Sequence, residues 1–174
     1  MAFLPNVRFS GATFHTLQQI PEGDAGTRAT LRVMRDVVRA WRVAPEVRQL
    51  AKQITANCEA KAFACHAMTL HAWVRDNIKY LPDVADVETI QTPDLTLRDR
   101  VGDCDDQAVL LASLLQSIGH PVRFVAVGMN AGGPFSHVYA ETRIGGYWRA
   151  AETTEPWQFG RSPGGVRRRM FETL

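Results

Sequence analysis

The passage Val101-Gly102-Asp103-Cys104-Asp105-Asp106-Gln107, running straight into Ala108-Val109-Leu110-Leu111-Ala112-Ser113-Leu114-Leu115, constrains this chain more than any other stretch. Asp103 suits a helix N-cap and Asp106 the third residue of the first turn, while Gly119 and Pro121 stop the helix at its far end. At helical periodicity Cys104, Ala108, Leu111, Leu115 and Ile118 share a face, and Leu110 and Leu114 widen it. The pattern predicts a central helix covered on several sides, with a sulfur at the head of its buried stripe. A thiol there meets the positive end of the peptide dipoles and unpaired backbone N–H groups, both of which favour thiolate. Asp105 and Asp106 act against that as like charges, so a nucleophile at Cys104 needs a cationic partner, for which histidine is the natural supplier. The alternative is a small buried hydrophobe, as many lone cysteines are.

A chain of 174 residues suits one domain, divided here into an arm and helices (1–61), a core (62–154) and a tail (155–174). Hydrophobic residues at 45% and charged residues at 22% exclude a disordered or membrane-embedded class. No apolar run approaches the ~20 residues that a membrane span requires. Met1-Ala2-Phe3-Leu4-Pro5-Asn6 carries neither a basic leader nor an apolar core, so no export signal is expected and a cytoplasmic location follows. The three cysteines, Cys58, Cys65 and Cys104, form no even framework, which points to a reducing compartment. A net charge of +2 gives no reason to expect a nucleic-acid partner.

Val7, Phe9 and Phe14 alternate loosely, giving an extended arm with one short strand, and the cluster from Pro21 to Gly26 is a turn. Leu31, Met34, Val38 and Trp41 mark a first helix ended by Pro45, and Pro45 opens a second with Val47, Leu50, Ala51 and Ile54 inward. Ala62 to Lys79 reads as a third, with Phe63, Ala67, Leu70, Trp73 or Val74, and Ile78 on its apolar side. Cys58, Cys65, His66 and His71 do not converge at metal-ligand spacing and read as packing cysteines and surface histidines. Asp83 to Arg100 is a long loop-rich connection, either a packed surface loop or one wall of a groove leading to Cys104. Three strands follow, over 122–127, 136–142 and 147–153, and the basic run Arg167-Arg168-Arg169 reads as part of a solvated tail.

The last two strands make a geometric prediction. If Arg143 to Gly146 form the turn, Thr142 pairs with Tyr147 and His137 lies opposite Glu152. Opposed residues have Cβ atoms about 4.5–5.5 Å apart, close enough for an imidazole–carboxylate hydrogen bond. A slip of one residue would send Glu152 to the other face. Because no aspartate follows Asp106, the acid on this hairpin must be a glutamate. Cys104 on a helix start, His137 on a strand and Glu152 on the next supply the sulfur, base and orienting carboxylate of nucleophilic thiol chemistry.

At these residues the sequence resembles the transglutaminase-like superfamily, which shares the papain-like cysteine-protease core. The likeness runs through His71-Ala72-Trp73-Val74-Arg75-Asp76-Asn77-Ile78-Lys79-Tyr80, Arg100 to Asp106, the leucine-rich helix to Gly119, Ser136-His137-Val138-Tyr139, and Trp148 to Thr154, about half the chain. It implies an α+β fold of N-terminal helices and a central Cys-bearing helix packed on a C-terminal antiparallel β-sheet. It also implies Cys104 as nucleophile, His137 as general base and then acid, and Glu152 where the family usually has aspartate. The backbone N–H of Cys104 would be one oxyanion donor, with Gln91 a candidate for the second. No metal or organic cofactor is implied. The expected reaction is acyl transfer from a peptide or protein amide through a thioester, with hydrolysis ahead of cross-linking or deamidation because nothing marks an amine-acceptor site. A catalytically silent binding or morphogenetic module is the other class. The small size and the tail from Pro163 to Arg169 resemble members encoded by bacteriophages and prophages. That likeness would place the chain in a bacterial host cell or on a virion, with a phage structural protein as partner and no membrane.

Overall fold

The computed structural model describes residues 22–83 and 89–174, together with the backbone of 14–16. It is an α+β arrangement, as the sequence predicts. Strand β1 (Phe14–Thr16) precedes helices α1 (Gly23–Trp41), α2 (Pro45–Ile54) and α3 (Phe63–Asn77). Next come β2 (Lys79–Tyr80), β3 (Thr89–Gln91), α4 (Pro93–Asp99), β4 (Val101–Gly102) and α5 (Cys104–Ser117). Strands β5 (Val122–Gly128), β6 (His137–Ile144), β7 (Tyr147–Ala151) and β8 (Arg168–Thr173) complete the chain as an antiparallel sheet of order β7-β6-β5-β8.

Helix α5 lies at the centre. Every residue from Asp105 to Leu115 is buried, because α1, α2, α3 and α4 pack around it and β6 closes the remaining side. Its leucines meet Phe124, Ala126, Val138, Ala140 and Met170 from the inner face of the sheet. Val125, Val127, Tyr139 and Ala150 form a second, smaller apolar cluster on the outer face, against Val166. Burial on both faces explains why β5 is a continuous apolar run where a half-wet strand would alternate.

Several expectations are corrected. The connection from Asp83 to Arg100 is not simply a loop: β3 pairs antiparallel with β1, and Pro93 opens α4 at the first helical turn, where its missing N–H costs nothing. The basic run is not a solvated tail, since Arg168 and Arg169 begin β8, which pairs with β5. Cys58 and Cys65 are not separate packing cysteines but a disulfide, with Cα atoms 5.9 Å apart, joining the segment after α2 to the first turn of α3. With that pair joined and Cys104 free, the cysteine count no longer argues for a reducing compartment. Finally, His71 is no surface residue but 1% exposed in the core, whereas Phe63, expected inside, is 50% exposed. The expectations for Val7 and Phe9 lie outside the described residues, as does part of the Asp83–Arg100 connection, residues 84–88.

Candidate active site

Cys104 is the first residue of α5, and the backbone before it is fixed from two directions. Asp103 caps the helix, its carboxylate accepting from the N–H of Asp105 at 3.2 Å and of Asp106 at 3.4 Å, and Asp106 accepts in return from the N–H of Asp103 at 3.3 Å. This reciprocal cap satisfies donors that the first turn would otherwise leave bare. Parallel pairing of Tyr80 with Gly102 ties the approach to β2, and the N–H of Leu81 donates to the Gly102 carbonyl at 3.1 Å. Gly102 has to be glycine, because a Cβ there would lie 2.7 Å from Cβ of Asp106. The other oxygen of Asp106 accepts from the N–H of Gln91 at 2.7 Å. Burial pushes the Asp106 carboxyl up to about 7, with that bond opposing the rise.

His137 opens β6, and its Nε2 is hydrogen-bonded to Oε2 of Glu152. The register that brings them together differs from the predicted one. Strand β6 runs on to Ile144, which pairs with Tyr147, so Gly145 and Gly146 alone make the turn, at φ +58° and +87°. Positive φ at both positions is the type I′ geometry that suits right-twisted strands. The pairing is therefore shifted by two residues: Ala140 faces Ala151, and Glu152 follows on the diagonal from His137 instead of directly opposite. Since side chains alternate with period two, an even shift keeps both residues on one face, and the longer glutamate spans the diagonal.

Glu152 is held on every side. Its Oε1 accepts from the N–H and the hydroxyl of Thr154, each at 2.7 Å. Its backbone carbonyl lies 2.5 Å from Nε2 of His71, on α3. Burial lowers the pKa of His71, so the imidazole is neutral and Nε2–H donates to that carbonyl. Burial alone would raise the Glu152 carboxyl, but the bonds from His137 and Thr154 outweigh it and leave the group below its ordinary value. His71 and Thr154 are positioning groups that periodicity could not reveal. The signal for Thr154 was its place two residues after the acid. His71 opens the stretch that resembles the family, but spacing gave its role no signal, because its partner is a backbone atom distant in sequence.

Cys104 and His137 line one cleft of about 440 Å³, together with Tyr80, Phe135, Asp103 and Asp105. A second cavity of about 310 Å³ lies on the Glu152 side and shares Tyr80 and His137 with the first. The backbone of Val138, next to the histidine, acts to lower the pKa of the sulfur. Burial nonetheless drives the Cys104 pKa far above the usual thiol range, and the charges of Asp105 and Asp103 push the same way. Burial, reinforced by those two charges, thus prevails over the helix N-terminus and favours the thiol at rest. Sequence reasoning missed Tyr80 as a cleft residue; burial, with the neighbouring Asp103 and Asp105 carboxylates, raises its pKa, so it stands there as a phenol. Gln91, the candidate second oxyanion donor, does not line the cleft: its backbone serves Asp106 and its side-chain oxygen accepts from the Thr96 hydroxyl at 3.3 Å. Asp103, Cys104 and Asp105 place ligand atoms within 4.8 Å of one another, but the Asp103 carboxylate in that group is already the helix cap.

The sequence model of the transglutaminase-like superfamily matches residues 48–153, a span that holds Cys104, His137 and Glu152. No curated protein matches the chain. Among solved structures, the fold is similar to that of a candidate protease from Parabacteroides distasonis, with TM-score 0.61 and 13% identity over 94% of this chain and 39% of that one. It is also similar to a candidate cysteine protease from Cytophaga hutchinsonii, with TM-score 0.51 and 20% identity over 66% of this chain and 38% of that one. The chain thus spans about two fifths of the length of either structure.

Proposed function

The chain belongs to the transglutaminase-like superfamily, and from that premise we propose that it hydrolyses amide bonds of peptides or proteins through a Cys104 thioester. The observation that carries this reading is the buried Glu152 carboxylate on Nε2 of a histidine that shares its cleft with the free cysteine. An ionised Glu152 keeps the proton on Nε2 and leaves Nδ1 as the basic nitrogen. Because the resting sulfur is protonated, His137 takes that proton as the sulfur bonds to the amide carbon, and the carbonyl electron pair moves onto oxygen. The N–H of Cys104, at the helix start, is a donor suited to that oxyanion. Collapse of the intermediate expels the amine, which leaves with the proton from His137. Water then adds to the thioester with His137 again as base, releasing the acid and the thiol.

The test is mass spectrometry of the intact protein after incubation with a panel of acyl-activated peptide amides and esters. An acyl adduct on Cys104 is expected, absent in Cys104→Ala and formed about a hundred to ten thousand times more slowly in His137→Ala. No adduct on any substrate, or an adduct on another residue, overturns the reading.

A further inference from the structure

The cavity on the Glu152 side of His137 is left unused by the chemistry above. The amine expelled from the intermediate leaves with the proton of His137, so the residue that carries this nitrogen has to lie against the imidazole. Cys104 lines only the first cleft, whereas Tyr80 and His137 line both spaces. The two spaces therefore form one path past the reacting pair, with the acyl side of a substrate at the sulfur and the amine side beyond the ring.

Met129, Trp157 and Pro163 give this cavity apolar walls, and Met129 is 42% exposed, an uncovered apolar surface. Two carboxylates line it as well. Glu152 is committed to His137 and Thr154, but Glu155 is exposed, and no hydrogen bond or ion pair holds its carboxylate among the described residues. The Glu155 backbone is nevertheless fixed: its carbonyl accepts from the Trp157 N–H at 2.7 Å, and the Trp157 carbonyl accepts from Nη1 of Arg75, on α3, at 2.8 Å. Among the described residues no lysine or arginine lines either space, although the chain carries 20 of them. Arg75 pairs with Asp76 at 2.7 Å, and Arg161 lies with its guanidinium 4.6 Å from the Trp157 ring centre without lining the cavity. Asp103 and Asp105 carry the same negative character into the first cleft.

We infer that this cavity is the subsite for the amine-side residue of the substrate, and that Glu155 selects a basic side chain there, lysine or arginine. The aliphatic stem of such a side chain lies on Trp157, Met129 and Pro163, and its charged head reaches the carboxylate. An acidic residue in the same place meets the like charges of Glu155 and Glu152, and a purely aliphatic one fills the walls but leaves Glu155 without a partner. The inference rests on the hydrolase reading for the position of the reacting amide and adds which kind of residue follows it.

The test is titration of the full chain with product-like dipeptide amides, whose free amino end stands for the expelled amine: lysyl-, arginyl-, norleucyl- and glutamyl-alaninamide. Binding is followed at the indole N–H signal of Trp157 in proton–nitrogen spectra, assigned by its loss in Trp157→Phe. The lysyl and arginyl amides should shift that signal saturably and bind about three to five times more tightly than the norleucyl amide, which has the same carbon stem as lysine and no side-chain charge. That margin should vanish in Glu155→Gln, pass to the glutamyl amide in Glu155→Lys, and shrink with added salt. Equal affinity for the lysyl and norleucyl amides, or a margin that survives Glu155→Gln, overturns the inference. So does the absence of any saturable shift at Trp157. Binding of these amides does not require Cys104 to react. Failed acylation with the margin intact therefore removes only the hydrolase reading, and acylation without the margin removes only the subsite.

Discussion

The carboxylate of Glu152 reaches His137 on a diagonal, which makes its length part of the site. Glu152→Asp is therefore expected to lose the His137 contact and slow turnover more than tenfold, while Glu152→Gln, which reaches but cannot hold the proton on Nε2, should cost about a thousandfold. Steady-state rates on any substrate found by acylation check both. The depressed pKa of Glu152 also has a stability consequence: the unfolded carboxyl binds its proton first as pH falls. Its contribution is thus complete above the ordinary carboxylate range and lost as acid titrates the folded group, and denaturant melts of Glu152→Gln should show a weaker loss of stability in that window. Cys104 carries the opposite shift. Alkylation of Cys104 by iodoacetamide should keep rising with pH beyond the usual thiol range, and a plateau reached below neutral pH would mean a resting thiolate instead. The Cys104 position and the His137–Glu152 partnership were legible from motif and alternation. The balance at the sulfur was not, because periodicity gives the side on which the thiol is buried but not how far burial outweighs the helix N-terminus.

At the level of elements, α5 and its approach carry the design. Leu111 is fully buried among α-helical and sheet neighbours, and Leu111→Ala should cost about 2–5 kcal/mol in chemical denaturation. Gly102→Ala forces a methyl against Asp106 and disturbs the turn that aims Cys104, so about 1–3 kcal/mol of stability and most of the alkylation reactivity should go together. Long periodic helices were readable because their apolar faces repeat. The hairpin register was misread because Arg143 and Ile144 look like turn residues beside Gly145 and Gly146, yet the type I′ turn needs only the glycines. Strand β8 was hidden for a different reason: arginines suit an edge strand, where one side of the ladder faces water, as well as they suit a tail.

Across the molecule, helices and sheet share one apolar core, and the disulfide fastens its far side from the cleft lining, between the end of α2 and the start of α3. Its closed loop is short, so reduction should lower stability by only about 2–3 kcal/mol and leave Cys104 reactivity at native temperatures unchanged. Thermal melts with and without reductant, paired with labelling of Cys104, check this. Of α5 only Cys104 and Asp105, at the very start of the first turn, border the open cleft, while everything from Asp106 to Leu115 is buried in the packing around the helix. A reactive atom mounted this way cannot shift to suit different ligands. Selectivity must then reside in the surrounding walls, α1 and the segment around Phe135, which can be remodelled without disturbing the seat of the nucleophile.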